Sequence, residues 1–211
     1  MNKIKILLAD DHKIILEGLR GLLETKYDIV GMAEDGNALV KEALRLKPDV
    51  IIADISMPSL NGIDAIRQIR KQGLNPKVIF LTMHNDALYA KEALEIGASA
   101  FVLKHSAASE LITAVEETLS GNRHISPVIS QELSRLDEGN GGNGVFEGLS
   151  LRQREVLQLL AEGKSAKEVA SILKISPRTV EFHKYSTMQQ LGIKTNAEII
   201  HFAIKHGIVS I

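Results

Sequence analysis

Several residue types and patterns that mark common protein classes are absent from this 211-residue sequence. There is no cysteine, which excludes disulfide frameworks, cysteine-ligated zinc sites and cysteine nucleophiles. No apolar run approaches the roughly 18 residues that would predict a membrane span, and the polar stretch from residue 9 argues against a signal peptide. Gly-rich phosphate loops and dinucleotide fingerprints are also missing. We therefore expect a cytoplasmic protein with no membrane partner.

Charge is distributed unevenly along the chain. Hydrophobic residues make up 45% and charged residues 24%, which predicts a packed core in one or two domains. Residues 1–124 carry 15 basic and 17 acidic residues, a net charge of −2, and residues 125–148 carry 1 and 4, a net charge of −3. Residues 149–211 carry 9 and 5, a net charge of +4. An acidic N-terminal part and a basic C-terminal part indicate two separate functions. Any polyanion would bind to the basic C-terminal part.

Strand and helix signals alternate through the first 121 residues. Apolar runs rich in Ile and Val lie at residues 4–8, 29–33, 50–52, 78–81 and 100–103, and helical periodicity at 14–24, 38–46, 62–71, 87–96 and 109–120. Five such units predict an α/β domain over residues 1–121, with a doubly wound, five-stranded parallel sheet. The runs are continuously apolar, as expected for a sheet buried on both faces.

The rest of the chain is divided into a linker and a helical domain. We interpret residues 122–147 as a linker because Asn140-Gly-Gly-Asn-Gly favours irregular backbone, with a short helix over residues 130–136. Residues 148–211 are predicted to form an all-α domain of four helices at 151–162, 166–173, 177–191 and 196–206. Only residues 174–176 separate the second helix from the third, which is helix-turn-helix spacing.

Helix starts and stops in this last domain are marked by characteristic residues. Capping boxes and a Ser-Pro start predict where the helices begin, and glycines where they end. The starts are Ser150-x-x-Gln153, Ser165-x-x-Glu168, Ser176-Pro177 and Thr195-x-x-Glu198, and the stops are Gly163, Gly192 and Gly207.

Four of the apolar runs in the first domain end on chemically reactive side chains. Asp10 and Asp11 follow the first run, Asp54 the third, Thr82 the fourth and Lys104 the fifth. The carboxyl ends of parallel strands share one edge of the sheet, so these side chains should meet there. Clustered carboxylates suit Mg²⁺, while an ammonium and a hydroxyl can bind phosphate oxygens. The spacing predicts phosphoryl transfer to a carboxylate.

Two histidines leave a second metal chemistry open. His12 and His84 lie next to the predicted cluster in sequence and could ligate a transition metal. Because carboxylate oxygens dominate the site, Mg²⁺ is favoured, with both histidines on the surface.

The amino-acid sequence around these residues resembles that of the receiver domain of two-component response regulators. The matching segments are Ala9-Asp10-Asp11-His12, Asp54-Ile-Ser-Met57-Pro58-x-x-x-Gly62, Leu81-Thr82-Met83 and Lys104. The resemblance implies a flavodoxin-like fold in which Asp54 is the phosphoacceptor. It also implies a Mg²⁺ site formed by Asp10, Asp11, Asp54 and the carbonyl of Ser56.

The same resemblance assigns roles to four further residues. Thr82 and Lys104 would sense the phosphoryl group, and His84 would tune its hydrolysis. Phe101 falls at the position of the switch aromatic but lacks the hydroxyl of the commoner Tyr. It could turn as a rotamer switch without a hydrogen bond, and plain core packing is the alternative.

The last part of the chain resembles the LuxR-type DNA-binding domain of the NarL/FixJ class. The matching segments are Leu149-Ser-x-Arg152-x-Arg154-Glu155-Val156-Leu157, Ala161-Glu-Gly163-Lys-Ser165-x-Lys167-Glu168-Val169-Ala170, Ile175-Ser176-x-x-Thr179-Val180-x-x-His183 and Leu191-Gly192-Ile193. The helix at residues 177–191 would then enter the major groove as the recognition helix. The implied partners are double-stranded DNA, a sensor histidine kinase, a second copy of the chain and RNA polymerase.

Basic and aromatic residues around the recognition helix are the candidate DNA contacts. Basic side chains would bind phosphates, and Phe182 and Tyr185 would touch thymine methyl groups. The full candidate set is Lys164, Lys167, Arg178, Thr179, Glu181, Phe182, Lys184, Tyr185, Gln189 and Lys194. Ser186, Thr187 and Gln190 depart from the usual Asn, Ile and Lys. Thr187 places a hydroxyl at an expected core position, which should loosen the helix.

The leading prediction is a transcription factor controlled by phosphorylation, with no enzymatic activity beyond its own phosphoryl acceptance and dephosphorylation. Phosphorylation would raise DNA affinity either by favouring a dimer or by freeing a masked recognition helix. One alternative is a receiver-type interaction module that does not bind DNA, which the +4 charge of the back domain disfavours. Another is an α/β phosphatase-like enzyme, which the missing Gly-rich phosphate loop disfavours.

Overall fold

A computed structural model describes residues 3–82, 87–106, 108–138, 149–206 and 208–209. The first domain is a parallel sheet in the order β2-β1-β3-β4-β5-β6. Its strands are β1 Lys5–Ala9, β2 Asp28–Ala33, β3 Val50–Asp54, β4 Lys77–Thr82, β5 Ala100–Leu103 and β6 His124–Ile125. Its helices are α1 Lys13–Leu23, α2 Gly36–Leu46, α3 Gly62–Lys71, α4 Ala87–Glu95, α5 Ala108–Ser120 and α6 Pro127–Glu138. The predicted α/β class and parallel sheet are confirmed, and the order of β1 to β5 is the flavodoxin-like order.

Both faces of the sheet are covered, as the continuous apolar strands indicate. Alternate residues of each strand point to opposite faces. One face packs Ile6, Ile52 and Ile79 against α1 and α5. The other packs Leu7, Ile51 and residues of the remaining strands against α2, α3 and α4. This burial on two sides explains why a period-2 polar pattern is missing from the strands.

The sheet has a sixth strand that the sequence analysis did not predict. β6 pairs with β5, with Ala100 opposite His124 and Phe101 opposite Ile125. A strand of two residues has no periodicity to detect, and its pairing is decided by the neighbouring strand. The segment interpreted as a linker therefore begins with β6 and α6, and α6 packs against α4. The Asn140-Gly-Gly-Asn-Gly stretch lies outside the described residues.

The C-terminal residues form four helices close to the predicted bounds. They are α7 Leu151–Ala161, α8 Ala166–Leu173, α9 Pro177–Leu191 and α10 Asn196–Lys205. Ser150 with Gln153, and Ser165 with Glu168, form complete capping boxes. At α10 the third predicted box is only half formed. Thr195 accepts a hydrogen bond from the Glu198 amide, but the Glu198 carboxylate accepts from the Lys194 amide instead of the cap residue.

Other predicted helix signals are placed as follows. Ser176 accepts a hydrogen bond from the Thr179 amide at the start of α9. Gly192 follows α9 directly with φ of +67°, and Gly163 lies one residue further out, after the C-cap Glu162 of α7, with φ of +82°; both are conformations of helix-ending glycines. Gly207 lies outside the described residues. Within the described part of the chain, no helix is both long and apolar enough to cross a bilayer.

Thr187 occupies a core position of the helical domain. It is 2% exposed on the side of α9 that also carries the buried Val180 and Met188. Its hydroxyl oxygen has no hydrogen-bond partner among the described residues. A buried polar atom without a partner destabilises the folded state because it has lost its bonds to water. The expected loosening therefore has a structural cause.

Replacing Thr187 with Val should stabilise the protein. The two side chains have nearly the same shape, so the substitution removes the unpartnered hydroxyl without leaving a cavity. We expect the free energy of unfolding to rise by about 1 kcal/mol, measured by urea denaturation. The matched control is Thr113→Val on α5, where the residue is exposed and its hydroxyl donates to the Ser109 carbonyl. An equal or lower stability for Thr187→Val would show that the hydroxyl is satisfied in solution.

Candidate functional site

The reactive side chains at the strand ends meet at one edge of the sheet. Register aligns the last residues of neighbouring strands, with Ala9 opposite Ala53, Asp54 opposite Leu81 and Thr82 opposite Leu103. Asp10 follows β1 directly and Lys104 follows β5. The parallel arrangement thus brings together residues that are distant in sequence.

Lys104 joins two of the carboxylates. Its Nζ lies 2.6 Å from Asp10 Oδ2 and 2.7 Å from Asp54 Oδ2. Asp10 and Asp54 are both buried, and the Lys104 side chain is 5% exposed. A single ammonium therefore holds two carboxylates that would otherwise repel each other.

Burial and charge act in opposite directions on these groups. Burial raises the pKa of Asp54, the positive charge of Lys104 counteracts that rise, and Asp10 adds to it. Burial alone would lower the pKa of Lys104, but the carboxylates of Asp54 and Asp10 outweigh it and raise the pKa. Lys104 is thus held as an ammonium between its two partners.

Asp11 and His12 complete the edge on the β1 side. Asp10, Asp11 and His12 form the one group of three potential metal ligands found in the described residues. His12 Nδ1 lies 2.8 Å from Asp11 Oδ1 and 3.4 Å from Asp10 Oδ1. The His12 side chain is 61% exposed, whereas those of Asp10 and Asp11 are 0% and 23% exposed. This placement favours a site dominated by oxygen ligands.

The loop after Asp54 folds back against the strand end. The Ser56 amide donates to Asp54 Oδ1 at 3.3 Å, and the Gly62 amide donates to the Ile55 carbonyl at 2.8 Å. A Cβ at Gly62 would lie 2.1 Å from the Asp54 carbonyl oxygen, so this position requires glycine. The tight approach explains the glycine eight residues after Asp54.

The residues expected to sense the phosphoryl group lie on β4 and β5. Thr82 is buried at the end of β4, and its carbonyl accepts a hydrogen bond from the Lys104 amide at 2.8 Å. Phe101 is completely buried on the face that packs against α4. Position 84, where His84 was expected to tune hydrolysis, lies outside the described residues.

The helix predicted to read DNA presents its candidate residues to solvent. Phe182 is 68% and Tyr185 65% exposed on α9, which is unusual for large aromatic side chains. The other exposed candidates are Lys164, Lys167, Arg178, Gln189 and Lys194. These side chains are therefore not buried against the first domain.

Three candidates of α9 are only partly exposed. Thr179 shares a hydrogen bond with Ser176 through its hydroxyl. Lys184 Nζ lies 3.8 Å from a Glu181 carboxylate oxygen and 5.9 Å from the Tyr185 ring centroid. Glu181 thus partly neutralises Lys184 beside the Tyr185 ring.

Comparison with known families agrees with both halves of this structure. Residues 6–116 match the family model of the response regulator receiver domain. Residues 147–203 match the model of bacterial regulatory proteins of the luxR family. This chain belongs to the LuxR-type response regulators. The phosphatase-like alternative is not needed to explain the acidic edge.

Related proteins share this architecture over nearly their whole length. The transcriptional regulatory protein MctR of Rhizobium johnstonii is 35% identical, covering 99% of this chain and 96% of its own. The response regulator UvrY of Escherichia coli is 31% identical, covering 97% and 95%. The structure of RcsB from Salmonella enterica serovar Typhimurium, bound to promoter P1flhDC with the phosphomimetic BeF3⁻, is 31% identical with a TM-score of 0.68, covering 97% and 100%.

The receiver and DNA-binding domains contact each other through charged residues that the sequence analysis missed. Arg154 on α7 forms ion pairs with Glu92 on α4 and with Asp64 on α3. Arg67 pairs with the same two carboxylates, at 3.1 Å to Asp64 and 2.8 Å to Glu92. Burial raises the pKa of Asp64, and Arg154 and Arg67 counteract the rise. No local pattern reveals the two pairs of Arg154, because their members lie on different domains.

Removing the Lys104 ammonium should destabilise the receiver domain. Lys104→Met leaves Asp10 and Asp54 as neighbouring buried carboxylates, and we expect the free energy of unfolding to fall by about 3 kcal/mol. Added Mg²⁺ should raise the melting temperature of this variant more than that of the wild type, because a cation can replace the lost charge. Calorimetry with and without Mg²⁺ measures both effects.

Two controls separate the charge effect from loss of packing. Lys41→Met changes an exposed lysine on α2 and should alter stability by less than about 0.5 kcal/mol. Lys104→Met combined with Asp54→Asn should recover part of the loss, because one of the repelling charges is gone. Equal stability of Lys104→Met and wild type would contradict the bridging role.

Proposed function

We propose that Asp54 accepts a phosphoryl group from a sensor histidine kinase and that the phosphorylated chain regulates transcription. The observation that carries this proposal is the bridge of Lys104 between Asp10 and Asp54. This bridge brings two carboxylates and one positive charge together at one end of the sheet, which supports the roles of nucleophile, cation ligand and phosphate-binding charge that we assign to them. Phosphoryl transfer depends on such charge neutralisation and positioning.

The residues at this edge fit Mg²⁺. Asp10 and Asp11 belong to the group of potential metal ligands, and Asp54 shares the Lys104 ammonium with Asp10 and accepts a hydrogen bond from the Ser56 amide, so all three offer hard oxygen atoms. We assign the ion to these three carboxylates and to the Ser56 carbonyl. When bound, Mg²⁺ would neutralise charge on the transferring group.

The chain's own residues account for the other requirements of the step. An Asp54 oxygen forms the new bond to phosphorus while the bond between phosphorus and the kinase imidazole nitrogen breaks. Lys104 would then pair with the phosphoryl oxygens, and the Thr82 hydroxyl would donate a hydrogen bond to them. The later hydrolysis by water is also carried out within this site, so the chain acts on no external substrate.

We further propose that the DNA-binding domain uses α9 as its recognition helix and binds DNA as a homodimer. The exposure of Phe182 and Tyr185 supports this role, as do the structures of the related protein RcsB in complex with DNA and as two dimers bound to two parallel DNAs. Lys164, Lys167, Arg178 and Lys194 would contact phosphates. A cytoplasmic location and contact with RNA polymerase follow from a role at promoters.

Because α9 is already exposed, we propose that phosphorylation acts mainly by favouring the dimer. A phosphoryl group on Asp54 would be bound by Thr82 and Lys104 and would pull the ends of β4 and β5 inward. Phe101 lies behind them on the α4 side, where a change of packing would alter the receiver surface. Such coupling typically changes an affinity by roughly 5- to 150-fold.

Asp54 should be labelled by a radioactive small acyl phosphate only when Mg²⁺ is present. Asp54→Asn keeps the shape of the side chain but removes the nucleophilic oxygen, so this variant should remain unlabelled and folded. With beryllofluoride, wild-type protein should gain DNA affinity roughly 5- to 150-fold and shift toward a dimer in sedimentation. Labelling of Asp54→Asn at the wild-type level would refute the assignment.

Substitutions on the DNA-binding domain should separate phosphate contacts from base contacts. Lys167→Ala should weaken binding to all sequences alike and reduce the slope of log affinity against log salt by about 1. Tyr185→Ala should change the preference among sequences in a selection from random DNA. If Tyr185→Ala weakens binding to every sequence equally, the residue does not read bases. If residues 148–211 bind no DNA in these assays, the alternative of a receiver-type interaction module without DNA binding is favoured.

A further inference from the structure

The loop that follows the phosphoacceptor is held by the DNA-binding domain. Residues 55–61, named here the β3–α3 loop, connect Asp54 with α3. Three of its backbone polar groups are bonded by side chains of α7 and of the residue that follows it, Glu162. The Met57 carbonyl and the Asn61 amide both bind Gln158, and the Ser59 amide donates to Glu162. This loop is therefore the point at which the second domain reaches the phosphorylation site.

Gln158 uses both ends of its side-chain amide on the loop. Its Nε2 donates to the Met57 carbonyl at 2.6 Å, and its Oε1 accepts from the Asn61 amide at 3.0 Å. The residue is 1% exposed, so these bonds are made away from water. Buried hydrogen bonds of this kind restrain a loop because breaking one leaves a polar group without a partner.

Glu162 adds a negative charge beside the site. Its Oε1 accepts from the Ser59 amide and from Gln158 Nε2, each at 3.0 Å. A cavity of about 160 Å³ is lined on the receiver side by Asp11, Ser56, Met57 and Pro58, and on the other side by Glu162, Ile208 and Val209. The DNA-binding domain thus forms one wall of the space next to the proposed Mg²⁺ ligands.

We propose that the docked DNA-binding domain is a gate that slows phosphorylation of Asp54, with Gln158 fastening the β3–α3 loop and Glu162 forming a negatively charged wall. Phosphoryl donors are anions, and they would approach Asp54 from the carboxyl ends of the strands, where Asp11 and Ser56 lie. A carboxylate in the wall repels them, and the fastened loop keeps the wall in place. The inference rests on the proposed role of Asp54 as phosphoacceptor.

The gate makes the labelling rate depend on the fraction of undocked molecules. If only these accept phosphate readily, a change that loosens docking raises the rate in proportion to their population. This effect is distinct from the switch on β4 and β5, because it acts before a phosphoryl group is present. It predicts that residues of the DNA-binding domain control a reaction of the receiver.

The test compares full-length variants labelled by acetyl phosphate with Mg²⁺ at pH 8. Gln158→Ala removes both bonds to the loop and should be labelled about threefold faster or more. Glu162→Gln retains an oxygen that can accept the same bonds but removes the charge, and it should also be labelled faster. Gln131→Ala, at an exposed position on α6, is the matched control and should match the wild type.

Amide hydrogen exchange reports on docking independently of labelling. In wild-type protein the Ser59 and Asn61 amides should be protected, and Gln158→Ala should speed exchange at Asn61. The Gly62 amide, which donates to Ile55 within the loop, should keep its protection and shows that the receiver remains folded. Unprotected Ser59 and Asn61 amides in the wild type would overturn the proposal, because the domains would then not be docked.

The labelling outcomes are decisive in both directions. Faster labelling of Gln158→Ala and Glu162→Gln supports the gate, and faster labelling of Gln158→Ala alone supports a steric gate while overturning the role of the charge. A rate for Gln158→Ala equal to or below the wild-type rate overturns the gate. Asp54→Asn is run in parallel. If Asp54→Asn is unlabelled and Gln158→Ala is labelled at the wild-type rate, only this inference is contradicted. If the wild-type protein itself is not labelled, the proposed function is contradicted.

Discussion

The bridge from Lys104 to Asp10 and Asp54 is the interaction on which the receiver site depends. Two buried carboxylates repel each other and lose their hydration, so they can lie together only when a positive charge compensates them. Lys104 can provide that charge because β5 ends level with β4, and only β3 and β4 lie between β5 and β1 in the sheet. The order of strands in the sheet therefore determines the chemistry at its edge. One ammonium offsets only one of the two carboxylates, so the site keeps a negative charge that a cation would neutralise.

A second set of buried charges joins the two domains. Asp64 and Glu92 are almost completely buried, and each is paired with both Arg67 and Arg154. Buried ion pairs contribute little net stability, because desolvation offsets most of their attraction. Their geometry instead favours one docking arrangement over others. In that arrangement Phe182 and Tyr185 of α9 stay exposed, while the end of α7 contacts the loop that follows Asp54.

Sequence patterns predicted the helices well where the signal is local. Ser150 and Ser165 form complete capping boxes because the two partners lie three residues apart on one helical turn. The same pattern at Thr195 is only half formed, since Glu198 can also reach the Lys194 amide, and the pattern does not distinguish the two acceptors. β6 was not predicted because a strand of two residues is too short to show a periodic pattern. It forms only because its residues pair with β5 at the edge of the sheet.

By itself, the sequence determined which segments become the five longer strands and the helices, and which reactive side chains stand at the ends of those strands. These features depend on interactions within a few residues, which leave a visible period or cap. Only the tertiary structure decided that Lys104 bridges Asp10 and Asp54, and that Gln158 binds a loop 97 and 101 residues away. Contacts at such separations depend on strand order and domain docking, which arise from the packing of whole elements and leave no periodic trace in the chain.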